Sequence, residues 1–237
     1  MAGPEKQETP SVNPTILPNK DLSFITDENL YKEIIKYLDK TFPNKKSDLS
    51  EKLSFTDVMK GSNTYIATAI DMYLSSINSK HRIARQSDLE TNLQMFKDFY
   101  VDSGLALRNL TNTNKEQAIY LFAQLKQRGI SESNFPIWID LRGLKLDNNL
   151  NFNLTDKSFY KTAECLNWES TQKYSKINEF GLPKEKDESS SRQIYTSNNA
   201  LSGGFLRDTD SNLNSDSSSL SNSDDYGRVV VAKPRSG

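Results

Sequence analysis

The chain has 237 residues, enough for one domain of ordinary size with or without long tails. Its 30 basic and 31 acidic residues nearly cancel, which excludes a global field drawing it to nucleic acid or anionic lipid. One cysteine, Cys165, and one histidine, His81, exclude an internal disulfide and supply too few soft or imidazole ligands for a structural zinc site.

Residues 1–20 carry prolines at 4, 10, 14 and 18 among polar residues and read as a disordered arm. That arm lacks the apolar stretch of a signal peptide. Order is expected from about Leu22. Thr26 or Asp27 can cap a helix whose positions Leu30, Ile34, Tyr37 and Leu38 keep helical spacing. A second helix is expected from Asp48 to about Lys60, stopped by Gly61. A third follows, with Ile66, Ile70, Tyr73 and Ile77 on one stripe.

Lys80, His81, Arg82 and Arg85 then form a short basic cluster at the expected C-terminal end of that helix. Ser87 and Glu90 have capping-box spacing and open a helix with Leu89, Leu93, Phe96 and Tyr100 on one face, interrupted by Asp102-Ser103-Gly104. Thr113 and Glu116 repeat that spacing before an apolar run, Ala118 to Leu125, which predicts a central helix covered on most sides. Gly129 closes it.

Alternation begins at Phe135, and segments 137–146 and 150–154 are expected to pair as a hairpin around Asp147-Asn148-Asn149. Thr155 or Asp156 is expected to cap a last helix carrying Phe159, Tyr160, Ala163 and Leu166. From residue 182 to 237 the chain reads as a disordered polar tail, because Ser211 to Asp225 offers almost nothing apolar to bury. The exception is a strand-like motif at 228–234, where Val229, Val230 and Val231 are expected to add to a sheet.

The expected fold is therefore mainly α with a small β-hairpin, an α+β class. A helical domain over 21–181 has its hairpin near 137–154, and two disordered arms flank it.

No P-loop and no dinucleotide-binding glycine motif occurs, and Gly203-Gly204 reads as linker. Cys165 lies in an apolar pattern and reads as a small core residue, not as a nucleophile activated by His81. Asp140 and Asp147, seven residues apart, would point to opposite faces of a continuous strand. An enzyme would need a deep pocket with converging perturbed carboxylates, which no motif announces. No catalytic residue, metal ligand or cofactor site is expected.

Lys80, Arg82 and Arg85 are candidate contacts to phosphate or nucleic acid, although cations also complement a helix C-terminus. The function expected is a non-enzymatic structural or adaptor subunit of a larger assembly, binding other protein subunits or its own copies through its body and tails. A nucleic-acid-binding accessory protein using residues 80–85 is the alternative. The asparagine- and serine-rich, cysteine-poor character is loosely similar to phage or viral structural components, with no motif carrying it. No run approaches the roughly 20 apolar residues needed to span a bilayer. A cytoplasmic protein is expected, or a virion component if the source is viral.

Overall fold

The computed structural model describes residues 20–96, 98–207 and 212–234. In chain order its first half holds β1 (Lys20–Phe24), α1 (Glu28–Thr41), β2 (Ser54–Phe55), β3 (Met59–Lys60), α2 (Thr64–Ser76), β4 (Arg82–Ile83), α3 (Gln86–Glu90), β5 (Tyr100–Leu107) and α4 (Lys115–Lys126). The second half holds β6 (Ile137–Asp140), β7 (Leu144–Leu146), β8 (Phe152–Leu154), β9 (Tyr160–Thr162), β10 (Gln172–Lys173), β11 (Gln193–Tyr195), β12 (Leu201–Arg207), β13 (Asn212–Ser217) and β14 (Val230–Pro234).

A curled seven-stranded sheet organises these elements, in the order β10-β11-β13-β12-β5-β6-β9. It is mixed, because β11 and β13 run parallel while the other pairs are antiparallel. A three-stranded sheet, β1-β14-β4, and the two hairpins β2-β3 and β7-β8 complete it. The mainly helical class expected from the sequence is thus overturned: helix and strand take similar shares, and the seven-stranded sheet holds the centre.

Two helices follow their sequence signals. Asp27 Oδ1 accepts the backbone N–H groups of Asn29 and Leu30, fixing the start of α1, and Ile34 and Leu38 face the core. Asn63 caps α2 by accepting the Ile66 N–H at 2.8 Å. Ten of the thirteen α2 residues are buried, so this helix, not α4, is the one enclosed by its own protein.

α4 buries only Ala118, Leu121 and Leu125, and leaves Ile119 and Tyr120 exposed. Its start is set by Asn114 in a left-handed conformation, whose amide donates to the carbonyls of Leu201 and Ser218, and not by a Thr113 side-chain cap.

The remaining helical expectations fail for local reasons. Segment 48–60 forms short 3-10 turns and the β2-β3 hairpin. Tyr100 to Leu107, containing the Asp-Ser-Gly expected to break a helix, is the strand that pairs with both β12 and β6. Tyr160 to Thr162 is a strand beside β6, and a 3-10 turn over Glu164–Asn167 replaces the last helix. The expected hairpin survives only as β7-β8, with Asp147 in its turn accepting the Asn149 and Asn151 N–H groups.

The expected disordered tail is the largest correction, since β11, β12, β13 and β14 all lie beyond residue 182. Its serine-rich part buries Leu213 and Leu220, and polar contacts from distant elements hold the rest. Buried Arg108 donates to the Ser215 carbonyl and hydroxyl and to Ser202 Oγ. Asn63 donates to the Ser221 carbonyl, and the Thr64 hydroxyl to that of Leu220. Polar residues absorb polar donors that would otherwise be stranded inside. The expected N-terminal arm over 1–20 lies outside the described residues except for its last position.

Gly203 and Gly204 are not linker but the middle of β12. Gly204 faces Gly104 of β5 in register, and the Trp138 indole lies across both. A Cβ at either position would fall inside the van der Waals envelope of the ring. The requirement here is close approach, not an unusual φ. Gly104→Ala should therefore lower stability by about 1–3 kcal/mol through overpacking. Adding Trp138→Phe to that variant should recover part of the loss, a coupling that denaturant unfolding reads directly. Strictly additive effects would show that the ring and the glycine do not meet.

Candidate arginine-lined cleft

The C-terminal half of α2, β4, the turn between β6 and β7, and the segment 155–159 enclose a cleft of about 770 Å³. Five cationic residues line it, Arg82, Arg85, Arg142, Lys145 and Lys157, against two acidic ones, Asp71 and Asp156. Tyr37 and Phe159 supply aromatic walls, and Ser75, Ser76, Thr155 and Ser158 supply hydroxyl-bearing ones.

The backbone here is fixed from several sides. Asp71 is the acidic residue within the apolar run of α2, and both its oxygens are used. Oδ1 accepts the Ile83 N–H at 3.2 Å and Oδ2 accepts the Gly143 N–H at 2.9 Å. Burial nevertheless raises its pKa, against those two hydrogen bonds and the charges of Arg142 and Arg82. The Gly143 carbonyl accepts the hydroxyls of Thr155 and Ser158 at 2.6 and 2.8 Å. Gly143 has φ +86°, and a Cβ there would meet the Lys157 backbone, so the turn requires glycine.

Arg85 reaches back toward the large sheet. Its Nε stands 3.5 Å from Asp140 Oδ2, and its guanidinium carbon lies 5.7 Å from the Phe159 ring centre. Asp140 Oδ1 also accepts the Trp138 indole N–H at 2.9 Å. The Arg85 Nε–H is buried and has no hydrogen-bond acceptor among the described residues. Arg142 makes no hydrogen bond or ion pair among them. Burial and then the like charge of Arg85 lower its pKa, while Asp71 and Asp88 oppose the shift. Two guanidinium groups thus line one cleft, and that of Arg142 keeps its donors unengaged among the described residues.

Asp71 is saturated by backbone donors and Asp140 sits behind Arg85, so neither carboxylate is presented to the cleft as a free base. The arrangement can bind and orient an anion. Among the described residues no group of three or more His, Cys, Asp or Glu is placed to hold a metal ion.

The structure distributes the residues singled out by sequence as follows. Arg82 and Arg85 enter the cleft, while Lys80 is exposed outside its lining. Arg82 also closes α2, donating through Nη1 to the carbonyls of Leu74, Ser79 and His81. Val229, Val230 and Val231 are buried, and β14 is the middle strand of the three-stranded sheet.

Its neighbour on one side is β4, with Val231 opposite Ile83 and Ala232 opposite Arg82. The valine run and the basic segment are therefore bonded to each other within one chain, which leaves β14 no free edge to offer a partner. Cys165 is buried, and burial pushes its thiol up to about 12, so it stays a protonated core residue. Sequence reasoning missed Arg142, Lys145, Lys157 and Asp71. A signal existed in Asp140-Leu-Arg142, charged residues inside an otherwise apolar stretch, and in the single acid of α2.

Burial raises the Asp140 carboxyl to about 6, against the opposing charge of Arg85 and the Trp138 hydrogen bond. A raised carboxyl pKa means that the folded state holds the proton more tightly than the unfolded chain. Its contribution to stability is full below about pH 4 and is lost as pH rises through about 6. Asp140→Asn keeps an acceptor for Trp138 and removes the titration. Relative to the wild type, it should gain stability between pH 4 and pH 7, by up to roughly 3 kcal/mol. Parallel stability curves for the two proteins over that window would contradict the assignment.

No protein-family model, curated protein or solved structure matches this chain.

Proposed function

We propose that the protein binds a small anionic ligand, one bearing a phosphate or carboxylate group, in the arginine-lined cleft, and that it acts by binding and not by catalysis. One observation carries this reading. Arg142 lines the same cleft as Arg85, whose like charge lowers its pKa, and no hydrogen bond or ion pair among the described residues engages the Arg142 guanidinium. Bringing like charges out of water is costly, and an anion between them offsets that cost. Planar guanidinium forks match the oxygens of carboxylate and phosphate. A cleft of about 770 Å³ also has the size of a small-molecule site.

Isothermal titration with inorganic pyrophosphate tests it. The wild type should bind with an affinity that falls as salt rises. Arg142→Gln should weaken binding about tenfold, or ~1.4 kcal/mol. Its melting temperature should stay within about two degrees of the wild type, since Arg142 holds no other element. If pyrophosphate fails to bind while a single-stranded oligonucleotide binds through Arg82 and Arg85, the nucleic-acid accessory reading replaces this one.

A second reading, the structural or adaptor subunit, draws on adjacent Ile119 and Tyr120 of α4, which are 50% and 39% exposed. Large apolar side chains side by side on a surface favour contact with another protein. Ile119→Glu should then shift the molar mass found by light scattering toward the monomer. An unchanged mass, or a monomeric wild type, removes self-assembly through this face.

A further inference from the structure

A second cavity, of about 320 Å³, opens near the first residue of α2, Thr64. β5 and β12 build its floor, and the segment after β13 forms part of its rim. A bulge in the β5-β12 pairing, between Gly204 and Phe205, sets Phe205 opposite Asp102. Bulges of this kind re-aim side chains.

Asp102 lines the cavity yet is buried, and accepts the Ser62 hydroxyl at 2.6 Å. Beside it the rings of Tyr100 and Phe205 lie 5.5 Å apart and inclined at 60°. Tyr226 stands at the mouth, 65% exposed, the most exposed large hydrophobic residue among those described. Asp98 and Asp224 add negative charge, and Arg207 is the single basic residue of the lining.

The pairing of aromatic faces with carboxylates selects the class of ligand. The carboxylates do not converge as a metal site does, because no group of three His, Cys, Asp or Glu among the described residues could hold an ion. Ring faces attract a cation whose charge is spread over methyl groups, and they leave its weak hydration shell little to lose. The same neighbourhood already shows the contact: the Arg228 guanidinium carbon lies 4.3 Å from the centre of Phe99, another lining residue. Tyr226 otherwise has no covering partner for its exposed ring, and a cation at the mouth supplies one.

We infer that this cavity binds a quaternary ammonium group against the ring faces of Tyr100, Phe205 and Tyr226, with Asp224 as its counter-charge. The site is separate from the arginine-lined cleft and does not depend on it. The test is a titration of the full chain with tetramethylammonium chloride at constant ionic strength, sodium chloride making up the balance. The aromatic ring signals of the tyrosines are followed by NMR. Saturable shifts of Tyr226 and Tyr100 are expected, with affinity at least five-fold weaker in Tyr226→Ala and in Asp224→Asn. Both residues are exposed, so circular dichroism melting should confirm that each variant folds as the wild type does. A linear, unsaturable response, or wild-type affinity in both variants, would overturn the assignment.

Discussion

The Trp138 indole lying across Gly104 and Gly204 is the constraint on which the rest of this structure depends. Three strands, β5, β6 and β12, meet there, and only the absence of two side chains lets the ring in. Close packing leaves such a site little room to adjust. The ring also carries a polar edge, and its N–H fixes Asp140 at 2.9 Å. Asp140 in turn holds Arg85 at the back of the cleft. A packing decision at the centre of the sheet is thereby transmitted, through one hydrogen bond and one ion pair, to the position of a cation at a surface opening.

Helix α2 arranges charge on a larger scale. Its N-terminal end is enclosed, so the partial positive charge there is poorly screened, while its C-terminal end at Ser76 is exposed. Near its N-terminus lie Ser62 and the Asp102 carboxyl, and beyond its C-terminus Arg82 donates to the carbonyl of Leu74 in its last turn and to those of Ser79 and His81 just after it. Acid at the positive end and base at the negative end both stabilise the helix. This accounts for Arg82 and in part for Asp102. It does not account for Arg142, which touches no helix carbonyl and whose main electrostatic neighbour of its own sign is Arg85. The surplus cation in the cleft is what calls for a ligand.

How much of this was legible in the sequence depended on whether the signal was local. The caps of α1 and the turn at Asp147 could be read, because a side chain bonds a backbone group a few residues away. α2 was readable as a helix from the spacing of Ile66, Ile70 and Tyr73, but not its burial on nearly all sides or the exposure of Ile77 beyond its end. The sheet was not, since Val101 to Leu107 becomes a strand only when β6 and β12 flank it. Gly203-Gly204 reads as linker until Trp138, more than sixty positions earlier, is seen to require Gly204. The tail misled for a related reason: judged by apolar content it cannot fold, but its few apolar residues are buried and donors such as Arg108 and Asn63 in distant elements hold its polar stretch. Two of the cleft's five basic residues, Arg82 and Arg85, were visible as a cluster. Arg142, Lys145 and Lys157 join it only through the fold.

The most direct test of the central claim is a crystal structure of the full chain grown with sodium tungstate, located by its anomalous signal. A tungstate in the cleft, accepting from the guanidinium groups of Arg142 and Arg85, is the predicted result. Tungsten bound elsewhere while both arginines point into bulk solvent would contradict it.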